Sequence, residues 1–316
     1  MRRIQYYRYG GPDTMRLEDF VLPSPKEGEV AVTVAAAAVN PIDWKVRQGA
    51  LKMMTGRSFP RAMGSDFAGT VTATGPGVTA VKPGDHVYGI APLKPSGAFA
   101  QAVIAPASHL ALKPAGLSFE QAAALATPAV MAWTGLIGRA RLQAGQQVFV
   151  NGATGGVGEA VVQLAKALGA TVTGTSGPTT MERARALSVD HVYDYTTTDP
   201  ADQAEFQGAF DVVYDTNGSL PVRTAMRLLN KTGVYLDINA TPAKFAHAAC
   251  ARRHKIFFCV PDTRTLTEAA ARAAAGDIRM SIGETVPLDT ATTLITDLEK
   301  GRKINGKGLI LMAPGN

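Results

Sequence analysis

Apolar positions change rhythm along the chain. Through residue 117 they fall in short runs, many of them β-branched, cut by Gly and Pro, which predict strands at 30–39, 66–74, 85–90 and 98–104. That spacing argues for a compact β-rich domain, a partly closed barrel. At Ser118 the texture turns alanine-rich and helical, with Ser118 as N-cap and Gln121 completing a capping box. Residues 147–151 then form a β-branched and aromatic run suited to a strand buried in a parallel sheet. Over 159–168, Val161, Val162, Leu164, Ala165 and Leu168 recur at helical spacing, and Gly169 supplies the stop. A second strand at 171–175 completes a β-α-β unit. Further strands are expected at 191–195, 211–215, 233–238 and 256–260, separated mostly by helices, as a doubly wound sheet requires. Helices at 265–275 and 290–300 and a strand at 308–312 end the pattern, in a position to pack back on the first domain.

Composition narrows the class. A chain of 316 residues exceeds what one small core needs, so two domains are the natural expectation. Charged residues are few and apolar ones plentiful, as in a compact soluble enzyme. The net charge of +6 is scattered, with no basic block or aromatic-basic stripe. It favours anionic cofactors and argues against nucleic acid. Cys250 and Cys259 form neither a disulfide framework nor zinc-ligand spacing, which fits a reducing cytoplasm. The longest apolar run, 30–39, is far too short to span a bilayer, and no signal peptide precedes the first strand.

Chemistry concentrates at the turn after residue 151. Gly152, Gly155 and Gly158, with Gly156 added, are a variant of the dinucleotide fingerprint, in which the backbone turns sharply and approaches phosphate closely. A pyrophosphate would sit on the helix N-terminus at Gly155, Gly156, Val157 and Gly158, where free amides and the macrodipole favour negative charge. The second strand says which dinucleotide. An NAD site needs an acidic residue near its end, but Gly174, Thr175, Ser176 and Gly177 stand there. Ser176, Arg183 or Arg185, and Tyr195 could instead surround a 2′-phosphate, which favours NADPH. Asn217, Ile238 and Asn239 follow strand ends on the edge where ligands bind in such sheets.

Several motifs in order resemble those of the medium-chain dehydrogenase/reductase superfamily: Val39-Asn40-Pro41-Ile42-Asp43-Trp44-Lys45, then Gly64-Ser65-Asp66-Phe67-Ala68-Gly69, Lys82-Pro83-Gly84-Asp85-His86-Val87, and the 151–158 turn. They are most similar to its quinone oxidoreductase-like branch, and the Asp43-Trp44-Lys45 triplet to alkenal/enone reductases and chloroplast-envelope quinone oxidoreductase homologues. The resemblance implies a GroES-like catalytic domain at 1–118, a Rossmann dinucleotide-binding domain at 119–261, and a segment at 262–316 returning to the catalytic domain. It places Asn40 and Lys45 beside the nicotinamide ribose in an interdomain cleft, and brings Gly306 and Lys307 back to the cofactor. Zinc alcohol dehydrogenases of the superfamily carry Cys where Asn40 stands, Gly-His-Glu near 64–66, and a four-cysteine lobe, all missing here. His86 and His109 are isolated, so no metal site is expected. The implied activity is zinc-independent hydride transfer from NADPH to a quinone or α,β-unsaturated carbonyl, by a homodimer. The alternative is a non-catalytic NADPH-binding protein of the zeta-crystallin-like kind.

Overall fold

The computed structural model describes residues 1–239 and 241–312; residues 313–316 of the expected C-terminal segment lie outside them. The chain divides into two compact units. One comprises Met1–Thr127, Pro261–Ala274 and the chain from Met280 onward, the other Pro128–Val260 with Ala275–Arg279. The division falls inside a helix, between Thr127 and Pro128, and not at the compositional change at Ser118. The first half of that helix is tied to the first unit: Thr127 bonds Asp66 through both its amide and its hydroxyl, and the Gln121 side chain pairs with the Met280 backbone.

The first unit contains β1 (Arg2–Tyr6), β2 (Arg16–Asp19), β3 (Glu29–Ala38), α1 (Pro41–Arg47), α2 (Lys52–Thr55), β4 (Arg61–Ala62), β5 (Asp66–Thr74), β6 (His86–Ile90), β7 (Ala102–Pro106) and β8 (Leu110–Leu112). The helix α3 (Phe119–Trp133) leaves it. The second unit contains β9 (Gln147–Asn151), α4 (Gly156–Ala167), β10 (Thr171–Ser176), α5 (Met181–Ala186), β11 (His191–Asp194), β12 (Phe210–Asp215), α6 (Val222–Leu228), β13 (Leu229–Asp237), α7 (Pro242–Cys250) and β14 (His254–Ile256). Back in the first unit lie α8 (Thr263–Ala274), β15 (Ile282–Pro287), α9 (Ala291–Glu299) and β16 (Lys307–Leu311).

In the first unit β2-β1-β4 form one sheet, and β15-β16-β3-β5-β6-β8, with β7 also on β3, form a larger one. β3 is the backbone of this unit. Both its edges are paired, by β5 on one side and by β7 and β16 on the other, so seven of its ten residues are buried and its sequence reads as a nearly continuous apolar run. Val30, Val32, Val34, Phe67, Val87, Phe99, Leu294 and Ile310 belong to the same core. The second unit is a six-stranded sheet in the order β11-β10-β9-β12-β13-β14, parallel throughout. The fold is therefore α/β: one unit is a doubly wound sheet, and the other is a GroES-like β-rich unit whose main sheet stays open at β15 and β8.

Some expected elements shift for identifiable reasons. The run 98–104 becomes a strand only at Ala102. Before it, Phe99 carbonyl receives the Ile4 amide and Ala100 makes a single bridge to Arg3. The strand expected at 256–260 ends at Ile256, and Phe258 and Val260 point to solvent. β13 begins at Leu229 because a register shift accommodates the polar residues after it. The pattern marks no strand at β1, β2, β4, β8 or β15, and the segment around Asn40 and Lys45 is helical.

Candidate functional site

The glycine turn joins β9 to α4. Gly152 has φ +84°, a left-handed conformation that favours glycine, and a Cβ there would lie 2.9 Å from Thr216 Oγ1 and 3.1 Å from Asn217 Nδ2. A Cβ on Gly158 would lie 2.0 Å from the Gly152 carbonyl oxygen, so the first turn of α4 can pack on the strand end only with glycine there. Gly155 is the N-cap of α4 and offers no side-chain cap, which leaves the first-turn amides to another partner. Gly155 is exposed, Gly156 and Val157 are half-buried, and Gly158 is buried. This is an anion cradle of the kind a pyrophosphate fits.

Hydroxyls close the cradle at the end of β10. Ser176 Oγ lies 3.2 Å from Thr154 Oγ1 and 2.7 Å from Thr180 Oγ1, and Thr154 donates to Thr180 at 3.1 Å. Ser176 itself is buried. The Tyr195 amide bonds Ser176 carbonyl at 3.1 Å, and the half-exposed Tyr195 ring stands over Gly177. Asp194, beside Ser176 on β11, is engaged with Thr196. Arg183 is half-buried beside Glu159; burial lowers its pKa, and the Glu159 charge opposes that shift. No hydrogen bond among the described residues joins Arg183 to Ser176 or Tyr195, whereas Arg185 is exposed. The sequence picked out Ser176 and Tyr195 but missed Thr154 and Thr180, which carry no spacing signal.

The ends of β12 and β13 hold Asn217, Ile238 and Asn239. Asn217 Oδ1 accepts from Asn151 Nδ2 at 3.0 Å and from Ser219, which ties it to the glycine turn. Asn239 Nδ2 reaches Thr216 carbonyl at 3.4 Å. Beneath them Asp215 and Asp237 are fully buried with Lys244, Tyr235 and His254. Each carboxylate closes a strand whose last residues are buried, and no spacing in the sequence marks either one.

In the first unit Asn40 is the buried N-cap of α1, with Pro41 at the first helical position and the Asp43 carboxylate accepting from Asn40 N at 2.8 Å. Lys307, also buried, donates from Nζ to Asn40 Oδ1 at 2.5 Å and to Val39 carbonyl at 3.1 Å. Two residues from motifs far apart in the chain thus meet. Around them Ser65 Oγ lies 3.3 Å from Asp43, and Thr127 Oγ1 donates to Asp66 at 2.5 Å. Burial pushes Asp43 up to about 7, against the Asn40 amide, and burial also raises Asp66 against Lys307. Gly306 has φ +136° and turns the chain into β16. Lys45 stands apart, exposed on α1; its carbonyl accepts from the Ala50 amide at 3.0 Å, and its ammonium makes no hydrogen bond or ion pair to another described residue. The structure therefore joins Asn40 to Lys307 and leaves Lys45 outside that cluster.

A parallel sheet with an uncapped glycine turn, in a chain that also builds a GroES-like unit, defines a dinucleotide-binding dehydrogenase or reductase architecture. Known proteins agree. The profile described as the alcohol dehydrogenase GroES-like domain matches residues 26–115, and that described as zinc-binding dehydrogenase matches residues 187–310. A spinach protein named quinone-oxidoreductase homolog, chloroplastic, is 32% identical over 77% of this chain and 76% of its own length. The structure of the quinone oxidoreductase from Coxiella burnetii superposes with a TM-score of 0.88 at 27% identity, covering 99% of each chain. The Escherichia coli quinone oxidoreductase complexed with NADPH gives 0.83 at 25% identity, covering 98% of this chain and 100% of its own. The chain belongs to the medium-chain dehydrogenase/reductase superfamily, in its quinone oxidoreductase-like branch. Among the described residues, no group of three or more His, Cys, Asp or Glu side chains is placed to hold a metal ion. No helix among them is long and apolar enough to cross a membrane.

Proposed function

We propose that this chain is a zinc-independent, NADPH-dependent reductase of quinones or α,β-unsaturated carbonyls. The glycine cradle beside a strand end that carries hydroxyls in place of a carboxylate supports this reading most. Gly155, Gly156, Val157 and Gly158 would hold the pyrophosphate, Ser176 and Tyr195 the 2′-phosphate end, with Arg183 kept as the candidate cation. Asn217, Ile238 and Asn239 would hold the nicotinamide half. When bound, NADPH supplies a hydride to an electron-poor carbon, and the acceptor's oxygen gathers the resulting negative charge.

The chain's own part is to bind, orient and donate. Lys307 occupies Asn40 Oδ1, and Nδ2, which faces the Ala38 carbonyl at 3.4 Å and also bonds Asp66, is the end of that amide we assign to the acceptor's oxygen, a role that requires it to exchange one of these partners. Lys45, exposed and uncommitted, is assigned to the ribose or to the same oxygen. Gly306 sets the path that delivers Lys307 to Asn40. The same reading takes the protein as a cytoplasmic homodimer, in keeping with Cys250 and Cys259 forming no disulfide and with sheet edges at β11 and β14.

The test is loss of reduced-nicotinamide absorbance with a quinone panel beside an enone panel, run with NADPH and with NADH. Turnover with either panel and a preference for NADPH are expected. Tight NADPH binding without turnover on either panel would leave only the non-catalytic alternative.

A further inference from the structure

The loops assigned to the nicotinamide half are built on two buried like charges. Asp215 and Asp237 end β12 and β13, are paired in register, and are fully buried. Each carboxylate folds the loop that follows it. Asp215 accepts from Gly218 N at 2.9 Å and Leu220 N at 3.2 Å, and Asp237 accepts from Asn239 N at 2.8 Å. Asn217 and Asn239 therefore take their places from these two anions.

Two adjacent carboxylates out of water repel, and their repulsion would separate the loops unless a cation stands between them. Lys244, in the first turn of α7, is buried and supplies it. Its Nζ lies 2.7 Å from Asp237 Oδ2, 3.6 Å from Asp215 Oδ2, and 3.3 Å from the Gly218 carbonyl oxygen that it donates to. Thr241 fixes its backbone by accepting from Lys244 N at 3.3 Å. Tyr235 OH lies 3.1 Å from Asp237 and 3.4 Å from Asp215, but brings no charge. His254 Nε2 is 3.6 Å from Asp237, and its Nδ1 faces His247 Nδ1 at 3.1 Å. Burial holds the His254 pKa below its ordinary value despite Asp237, so it is a poor counter-charge at neutral pH.

We propose that Lys244 is a positioning residue for the nicotinamide half of the dinucleotide, fixing the turn at Asn217 and Gly218 to the turn at Ile238 and Asn239. The inference rests on the cofactor reading above. Lys244 reaches both loops at once, through a carboxylate of each and a backbone carbonyl of one. The adenosine half lies on other residues, Ser176 and Tyr195, so the two halves can be probed separately.

The experiment is calorimetric titration of the full-length protein with NADPH and with 2′,5′-ADP, which carries the adenosine half alone. In Lys244→Met, 2′,5′-ADP should bind within about twofold of wild type while NADPH weakens by about tenfold or more. Lys244→Met leaves two buried anions uncompensated and could unfold. Lys244→Met with Asp237→Asn removes one charge of each sign, so it decides the matter. Its thermal midpoint should return toward wild type while NADPH affinity stays low, a separation that a purely structural lysine would not produce. Wild-type NADPH affinity in the double variant, or parallel loss of both ligands there, overturns the proposal. Failure of the wild type to bind either ligand overturns the cofactor reading itself, and this one with it.

Discussion

At the scale of single residues, Asp43 shows how burial is converted into pH dependence. Its carboxyl titrates near 7, raised chiefly by burial and further by Asp66, against the Asn40 amide, Lys307 and Ser65. In the unfolded chain it titrates near ~4. A carboxyl raised on folding contributes stability that is full below the unfolded value and is lost as pH rises through the folded one. Between about pH 4 and pH 7 the wild type should therefore lose on the order of 1.4 kcal/mol per unit from this group. Asp43→Asn, which copies the neutral acid, should be the less pH-sensitive protein, gaining on wild type as pH rises from 5 to about 8. Urea midpoints for the pair across that range measure it, and a constant gap would show that Asp43 does not titrate there. The glycine turn gives a second residue-scale contrast. Gly155→Ala, at φ −72° with the nearest atom 3.4 Å away, should cost less than about 1 kcal/mol. Gly158→Ala, with a carbonyl oxygen at 2.0 Å, should cost several times more and weaken NADPH. Equal costs would show that α4 can move off the strand end.

At the scale of elements, what could be read from sequence was what local pattern determines. Expected and observed bounds coincide for β5 and β9, whose β-branched and aromatic runs are buried in their sheets. β2 and β15, in which every side chain is exposed or half-buried, exist because β1 and β16 offer them an edge, and no local signal marks that. The seven-residue α1 is held by Pro41 and the Asn40–Asp43 bond, and is too short to show helical periodicity. The site divides the same way. The glycine cradle lies in one stretch, whereas Lys307 reaching Asn40 and Lys244 reaching Asp215 depend on pairings made across long separations. Gln121 shows the same limit. Ser118 does accept its amide at 3.2 Å, as a capping box requires, but the Gln121 side chain turns to the returning chain, donating to Met280 carbonyl at 2.9 Å and accepting from Met280 N at 3.1 Å. Gln121→Ala should therefore cost about 1–3 kcal/mol through two lost bonds. Ser118→Ala should cost about 1 kcal/mol through one cap. Hydrogen exchange at the Met280 amide should speed up in the first variant only, and equal exchange in both would return Gln121 to a capping role.

At the scale of the whole molecule, charge and cofactor can be weighed together. A net charge of +6 acts at long range on a dinucleotide carrying several negative charges, and hardly at all on a neutral quinone or enone. Raising ionic strength from about 0.01 to 0.1 M shortens the Debye length from about 30 to about 10 Å, which removes the field beyond the cradle but leaves contacts inside it intact. Capture of NADPH should slow several-fold over that range while its dissociation changes little, so the effect belongs in kcat/KM for the cofactor. With cofactor saturating, kcat/KM for a neutral acceptor should stay nearly flat. Stopped-flow binding beside steady-state rates at matched salt separates the two. A salt slope shared by cofactor and acceptor would point to a conformational response of the protein. No slope for either would mean that the positive charge is too scattered to steer, leaving recognition to the glycine turn and the hydroxyls of Thr154, Ser176 and Thr180 at short range.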